Sequence, residues 1–458
     1  MRRLAALALV GFVGIASAQS NNNSAPQTAT CAQATDTKSI SGSEITPFAA
    51  SSDAWRETVG TLVKEPLWSD RDAYDAAHAL MVPLHYAFAA NDHTGILDFE
   101  TLMGRFAMQE LTGGQLQMAQ WMYFVSRYLS LRAEFSHPLR EIDKTLARRV
   151  AAWLYVRWEY EPGFSWGRPP FIGSKARLAY VRNSSTRWPL SYYPAVTDYE
   201  LFLFAIASDL KYLQSKYSDL PEQSGESIAL GIDEIVSTGI AVIRERGTFT
   251  DNGGWIFQKG IWSDHPDFRF AGHTQLAPNL PESRLPEISE DSSHAHRWPL
   301  FLRSMIAATP PNSDEKKYLL RVYSGLSDQF AKKVVKRDKE GILLTNYTNG
   351  HNGIYRYRYS TIGANEQLGY GPYALSGILG ESWYPFAHNV EDIFESYANS
   401  YPLTSKILTM YVGPNTTRAR NPLFAWPDFF TNGFAELIAK QGSYLSRHYK
   451  VRQATLCN

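Results

Sequence analysis

From residue 55 to residue 448, apolar side chains recur every three or four positions in one segment after another. That period suits helices packed on helices and little else. Residues 73–90 predict an apolar helix interrupted at Pro83, whose ring removes a backbone donor. Residues 99–111 and 115–132 predict amphipathic helices separated by Thr112-Gly113-Gly114, and 139–160 a third. Further helices are expected at 197–216, 225–246, 294–308, 314–336, 366–379, 390–411 and 429–448. Two connections, 161–194 and 247–293, are long and rich in aromatic residues, Pro and Gly. Loops of that length are functional or disordered, and these are too aromatic for disorder. Alternating strand patterns are scarce outside the loops. The fold class expected is all-α: an α/α toroid of six or seven helical hairpins, closed into an incomplete barrel, with the aromatic loops at one rim. Arg-Trp-Pro-Leu at 187–190 recurs at 297–300, each near the start of an apolar helix, which echoes a repeat.

The N-terminus reads differently. Arg2 and Arg3, an apolar run over 4–15 and Ala16-Ser17-Ala18 form a secretory signal over 1–18. Residues 19–50 are a low-complexity lead-in, leaving 51–458 as one domain. The apolar run is too short to span a membrane and none of adequate length follows. The mature chain is therefore expected to be secreted, extracellular or periplasmic, and monomeric. Cys31 and Cys457 lie near opposite ends, which suits a bridge between the termini and not a structural zinc site. Sequons stand at Asn22, Asn183, Asn346 and Asn415. Lys plus Arg equals Asp plus Glu at 45 each, so no net basic field favours nucleic acid or a membrane surface. Anion recognition has to come from local clusters.

Three clusters carry candidate chemistry. The first is 350–373, GHNGIYRYRYSTIGANEQLGYGPY, with His351, Asn352, Arg356, Tyr357, Arg358, Tyr359 and Tyr370. The alternation over 355–359 suits an extended strand or loop with phenols on one face and guanidiniums on the other. Arg grips carboxylates, and Tyr beside Arg moves protons. Tyr370 and Tyr373 fall three apart, on one face of the helix expected there. The second cluster is 291–299, where Asp291, Ser292 or Ser293 caps a helix and His294 and His296 sit in or before its first turn. The positive helix end keeps a His neutral and basic. The third is 251–273, with Asn252 as an amide donor, Trp255 and Trp262 as subsite walls, and Asp264, His265 and His273 nearby. A metal reading of His294 and His296 with Asp264, His265 or His273 lacks a recognised ligand spacing, so neither metal nor cofactor is expected.

Glycoside hydrolysis needs two carboxylates. Asp251, Asp264, Asp267, Asp291, Glu366 and Glu381 are available, but no spacing singles out a pair. No Gly-x-Ser-x-Gly elbow, phosphate-binding Gly-rich loop or His-Glu-x-x-His motif is present, which argues against serine hydrolase, NTPase and zincin chemistry.

The Asn-Gly-Gly-Trp loop at 252–255, the His-rich helix start and the Tyr/Arg loop together resemble helical-toroid polysaccharide lyases. That group includes alginate, glucuronan and hyaluronan lyases, and the likeness is nearest to polysaccharide lyase family 38. The resemblance implies β-elimination on an acidic polysaccharide, with no cofactor. His296 or Tyr357 would be the base, Tyr357 or Tyr359 the acid, and Arg356, Arg358 and Asn252 the carboxylate partners. Trp255, His294, His351, Asn352 and Tyr370 would bind substrate. The alternatives are a toroid glycoside hydrolase and a non-catalytic carbohydrate binder.

Overall fold

A computed structural model describes residues 52–456, apart from 66–69, 167–169, 184–187, 218–219, 221–225, 359–367 and 413–420. The signal segment, the lead-in, Asn22, Cys31, Tyr359, Glu366, Asn415, Cys457 and the Arg187 end of the four-residue echo lie outside the described residues. Those described belong to one unit, Gly42–Asn458. The chain is mostly helical, with little sheet.

The helices run α1 (Ser52–Glu57), α2 (Val59–Lys64), α3 (Asp70–Ala79), α4 (Met81–Ala89), α5 (His93–Met108), α6 (Gln115–Glu134), α7 (Glu141–Glu159) and α8 (Gly173–Asn183). Then come α9 (Asp198–Lys216), α10 (Glu226–Arg246), α11 (Ser292–Ala295), α12 (Trp298–Ala308) and α13 (Asp314–Gln329). The series ends with α14 (Glu391–Ala398), α15 (Ser405–Val412) and α16 (Phe434–Leu456). Local chemistry sets several boundaries. Asp92 caps α5 by accepting from the Thr94 and Gly95 amides, so this helix starts six residues before the expected 99. Thr197 and Glu200 form a capping box at the start of α9. Pro83 lies in the first turn of α4, where its missing N–H costs nothing, and the break falls before it at Leu80.

Helices α6 and α9 are buried nearly all round, over residues 118–132 and 199–210. A helix with no solvated face has to sit in the middle of the packing. α9 packs on α6, α10 and α12, and α6 packs on α3 and α4. α12 touches the 3-10 turn at Tyr384–Phe386, that turn touches α16, and α16 packs on α4. α7 packs on α5 and α10 as well as on α6 and α9, while α13 lies against α12 and α14 against α16.

Charge is buried inside this packing. Arg127 on α6 donates to Asp209 on α9 at 2.6 Å, and Ser126 donates to the other carboxylate oxygen at 2.8 Å. Both side chains are at most 4% exposed. Arg127 also donates to His85 Nε2, which leaves the His85 Nδ1–H to donate to Tyr449 on α16. Burial first, and then Arg127, hold His85 neutral.

Several expectations are corrected. The helix expected over 314–336 stops at Gln329, passes through a π turn at Phe330–Val334 and becomes strand β5 (Val335–Arg337), paired antiparallel with β6 (Ile342–Leu344). The span 366–379 is not one helix where it is described: Tyr373 has φ +64°, a 3-10 stretch covers Ala374–Gly380, and Tyr370 bridges Tyr355 instead. The span 390–411 divides into α14 and α15 around Pro402. The connection 161–194 contains a small hairpin, β1 (Pro162–Gly163) with β2 (Phe171–Ile172), and α8. The next long connection opens with β3 (Gly247–Phe249) and β4 (Trp255–Phe257). Among the described residues, no helix is long and apolar enough to cross a membrane.

Candidate active site

The connection 247–293 is held to the segments around Tyr347, Tyr355 and Leu375 by a satellite apolar cluster that also contains Phe268, Ala271 and Ile288. With so little sheet, side chains must satisfy the loop backbone. Asn346, fully buried, donates to the Gly353 and Gly371 carbonyls at 2.8 and 2.9 Å and accepts from the Leu375 amide. Its sequon is therefore closed to glycan in the folded chain. His351 Nε2 donates to the Ala271 carbonyl at 2.6 Å, and Asn352 accepts from the Asn346 and Tyr373 amides.

On this support, α9, α11 and the 355–358 turn bring an ionic cluster together. Asp291 caps α11 through the Ser293 amide at 3.0 Å. Its other oxygen meets His294 Nδ1 at 2.7 Å. A carboxylate can only accept, so Nδ1 carries the proton and Nε2 is left for other chemistry. Nε2 lies 3.9 Å from Asp198, the first residue of α9, and the His294 side chain is 29% exposed. Asp198 is also paired with Arg297, whose other terminal nitrogen donates to the Tyr74 hydroxyl on α3. Arg356 donates through Nε to Asp267 at 2.9 Å and lies over the Tyr355 ring.

Three carboxylates, Asp198, Asp267 and Asp291, face the two guanidiniums of Arg297 and Arg356, and a protonated His294 balances them. Burial pulls the His294 pKa down, but Asp291 and Asp198 outweigh it and hold it above the ordinary 6.5. Burial would raise the Asp291 carboxyl, yet His294, Ser293 and Arg356 hold it well below the usual carboxylate range. Glu290 lies behind this pair in a pocket lined by Trp255, Phe257, Trp298, Leu326, Phe330 and Tyr384. It accepts from the Trp298 indole at 3.0 Å. Burial, and then Asp198, push its pKa to about 8, so it is an uncharged acid at neutral pH. His265 has the opposite tautomer to His294: its Nδ1 accepts from the Asp267 amide at 3.3 Å, which places the proton on Nε2. Burial lowers its pKa, so it is a neutral donor.

The sequence candidates divide accordingly. Arg356 and His294 fall in the same ionic cluster, where both feel Asp291 and the charge of Arg356 works against protonation of His294. His296 is buried, stacked on His78 at 4.5 Å, and accepts from the Trp383 amide at 3.3 Å. Arg356 and Arg358 have φ of 53° and 59°, so the expected extended alternation is absent and the segment turns. The Tyr357 hydroxyl donates to the Ala277 carbonyl at 2.8 Å and accepts from the Leu280 amide at 3.0 Å, tying down the 277–280 loop. Arg358 is exposed and donates to Asn279. Asn252 lies in an exposed turn, and Trp255 is buried against Trp298. Tyr370 stacks on Tyr355 at 6.3 Å. Among the described residues, no group of three His, Cys, Asp or Glu side chains is placed to hold a metal ion.

Tyr74, Asp198, Asp267, Glu290 and Arg297 escaped notice as a group. Asp198 reads as a helix-start residue, and Tyr74 is separated from Arg297 by 223 positions. Tyr357→Phe is expected to lower the unfolding midpoint by removing two loop hydrogen bonds, about 1 kcal/mol each, and to leave turnover nearly unchanged. Lost turnover at unchanged stability would return that phenol to the chemistry.

No family model matches the chain, and no curated protein or solved structure matches it.

Proposed function

We propose that the chain is an exported polysaccharide lyase that cleaves a uronic-acid polymer by β-elimination, with His294 as the base. The supporting observation is the Asp291–His294 pair: a half-buried imidazole whose Nδ1 proton is committed and whose Nε2 lies 3.9 Å from Asp198, within the field of the cationic Arg356. The contacts from α4 through α6, α9 and α12 to α16 and back to α4 fit an α/α toroid with this cluster among its rim loops.

In this mechanism, Arg356 pairs with the uronate carboxylate and stabilises the enolate-like charge that develops as C5 loses its proton. Nε2 of neutral His294 takes that proton. Asp198 and Asp291 then flank the imidazolium. Tyr74, whose oxygen accepts from Arg297, gives a proton to the departing glycosidic oxygen, and a C4–C5 double bond forms as the C4–O bond breaks. A hydrolase reading draws on Glu290, a protonated acid near the ionised Asp198. Asp198, however, is paired with Arg297 and is not left to act as the second carboxylate. Elimination is therefore the better reading.

The pH dependence follows from the two shifts. His294 works as a base only when neutral, so the rate rises as pH climbs through a value above 6.5. Glu290 ionises near 8 and adds a negative charge beside Asp198 and Asp291, so the rate falls above that. A pH–rate profile on a polyuronide is expected to show an acid limb set by His294, and Glu290→Gln is expected to flatten the alkaline fall. An alkaline limb unchanged in Glu290→Gln would separate Glu290 from the reaction. The function itself is tested by incubation with alginate, glucuronan, hyaluronan and pectate: ultraviolet absorbance of an unsaturated uronate is expected with one of them. New reducing ends without that absorbance would establish hydrolysis instead.

A further inference from the structure

Seven large apolar side chains stand open to water among the described residues, and five of them gather at one outer face. These are Val156, Tyr160, Phe164, Ile172 and Leu230, 38–75% exposed. Val156 lies in the last turn of α7, and Tyr160 follows it by four positions. Leu230, early in α10, adjoins Gly231, where a Cβ would lie 3.1 Å from the Tyr155 ring. That ring is 5.9 Å from Tyr160. The hairpin β1–β2 completes the face. Gly163 is buried and its partner Phe171 packs on Tyr180 of α8 at 5.3 Å, so alternation sends Pro162 and Ile172 outward as a pair. The hairpin is locked to the end of α7: Gly173 has φ +72°, and a Cβ there would meet the Trp158 carbonyl oxygen at 2.2 Å. The charges around this face are already matched within the chain. Arg157 pairs with Glu161 at 2.9 Å, Lys175 with Glu159 and Glu234 at 3.0 and 2.9 Å, and Lys211 with Asp233 at 2.7 Å.

We propose that this face is the interface of a two-fold dimer, covered by the same face of a second copy of the chain. The monomer expected from the sequence is then a half. Five such side chains expose roughly a few hundred Å², the size at which an apolar patch on a rigid surface marks an interaction site. With their polar rim they approach the ~800 Å² per partner of a stable complex. The charge pattern selects the occupant. Three cations stand against four carboxylates, so a strongly acidic or strongly basic partner finds no complement. A second copy brings the same apolar centre and the same internally paired rim, which is what a self-complementary two-fold contact needs. The locked hairpin presents the centre without a cost of ordering. The proposal is independent of the reaction assigned to the ionic cluster.

The test is sedimentation equilibrium of the full chain from submicromolar to tens-of-micromolar concentration. A mass twice that of one chain is expected at the upper end. Ile172→Lys and Tyr160→Lys place a charge at the centre of the contact in both copies, and each is expected to weaken the dimer by about 100-fold or more, the effect of losing a central anchor. Both side chains are already open to water, so the folded chain tolerates the change, and circular dichroism checks that it does. Leu97→Lys, on the exposed side of α5 and outside the face, is expected to leave the dimer unchanged. A single-chain mass at every concentration overturns the dimer and leaves the face to a different protein. A dimer that persists in both Ile172→Lys and Tyr160→Lys, or that Leu97→Lys weakens as much, places the contact elsewhere and overturns the assignment of this face.

Discussion

His294→Ala is expected to lower the elimination rate by about 10²–10⁴-fold, the range for loss of a positioned base. The fold should survive, because the imidazole is partly open to solvent and is not part of the apolar core. Asp291→Asn should also slow the reaction, with a distinct signature. It removes the anion that does most to raise His294, so the acid limb of the pH–rate profile should move to lower pH as the maximum rate falls. A merely structural Asp291 would lower stability and leave that limb in place. If His294→Ala keeps most of the native rate, the base lies elsewhere.

Asp209→Ala is expected to cost about 3–5 kcal/mol, the penalty for leaving one charge of a buried pair without its partner. Arg127 would remain between α6 and α9 with its carboxylate gone, and the Ser126 hydroxyl would lose its acceptor. Tryptophan fluorescence in urea reads the shift. The double variant Arg127→Met/Asp209→Leu should recover much of the loss, because no unpaired charge is then buried. A cost below about 1 kcal/mol for Asp209→Ala would mean that water reaches the pair.

The helical part of the fold was legible because it rests on a local signal. Apolar spacing sets the faces of α7 and α10, α6 and α9 are apolar enough to be buried nearly all round, and the expected ends of all four fall within about two residues of those observed, the ordinary uncertainty of helix ends. Where a tertiary contact overrides the local signal, the reading failed. Residues 335–337 carry helical neighbours upstream, yet they pair with Ile342–Leu344 and become strand. The site was half legible. Arg356 was visible as a charged residue in a loop, and His294 as one at a capped helix start. His296, two positions from His294, carried the same sequence signal, but the turn after α11 points it into the core against His78. The phenols of 355–359 suggested a strand face, whereas positive φ at Arg356 and Arg358 turns the chain and sends the Tyr357 hydroxyl to the 277–280 loop. Asp198 and Tyr74 could not be found from spacing, since only packing of α3 and α9 with the start of α12 brings them to Arg297.

The decisive measurement is the ultraviolet spectrum of the product released from a polyuronide by the native chain and by His294→Ala. Absorbance of an unsaturated uronate that grows with the native protein and is lost with the variant is the expected result. Equal absorbance from both proteins, or chain cleavage with no absorbance from either, would contradict elimination at His294.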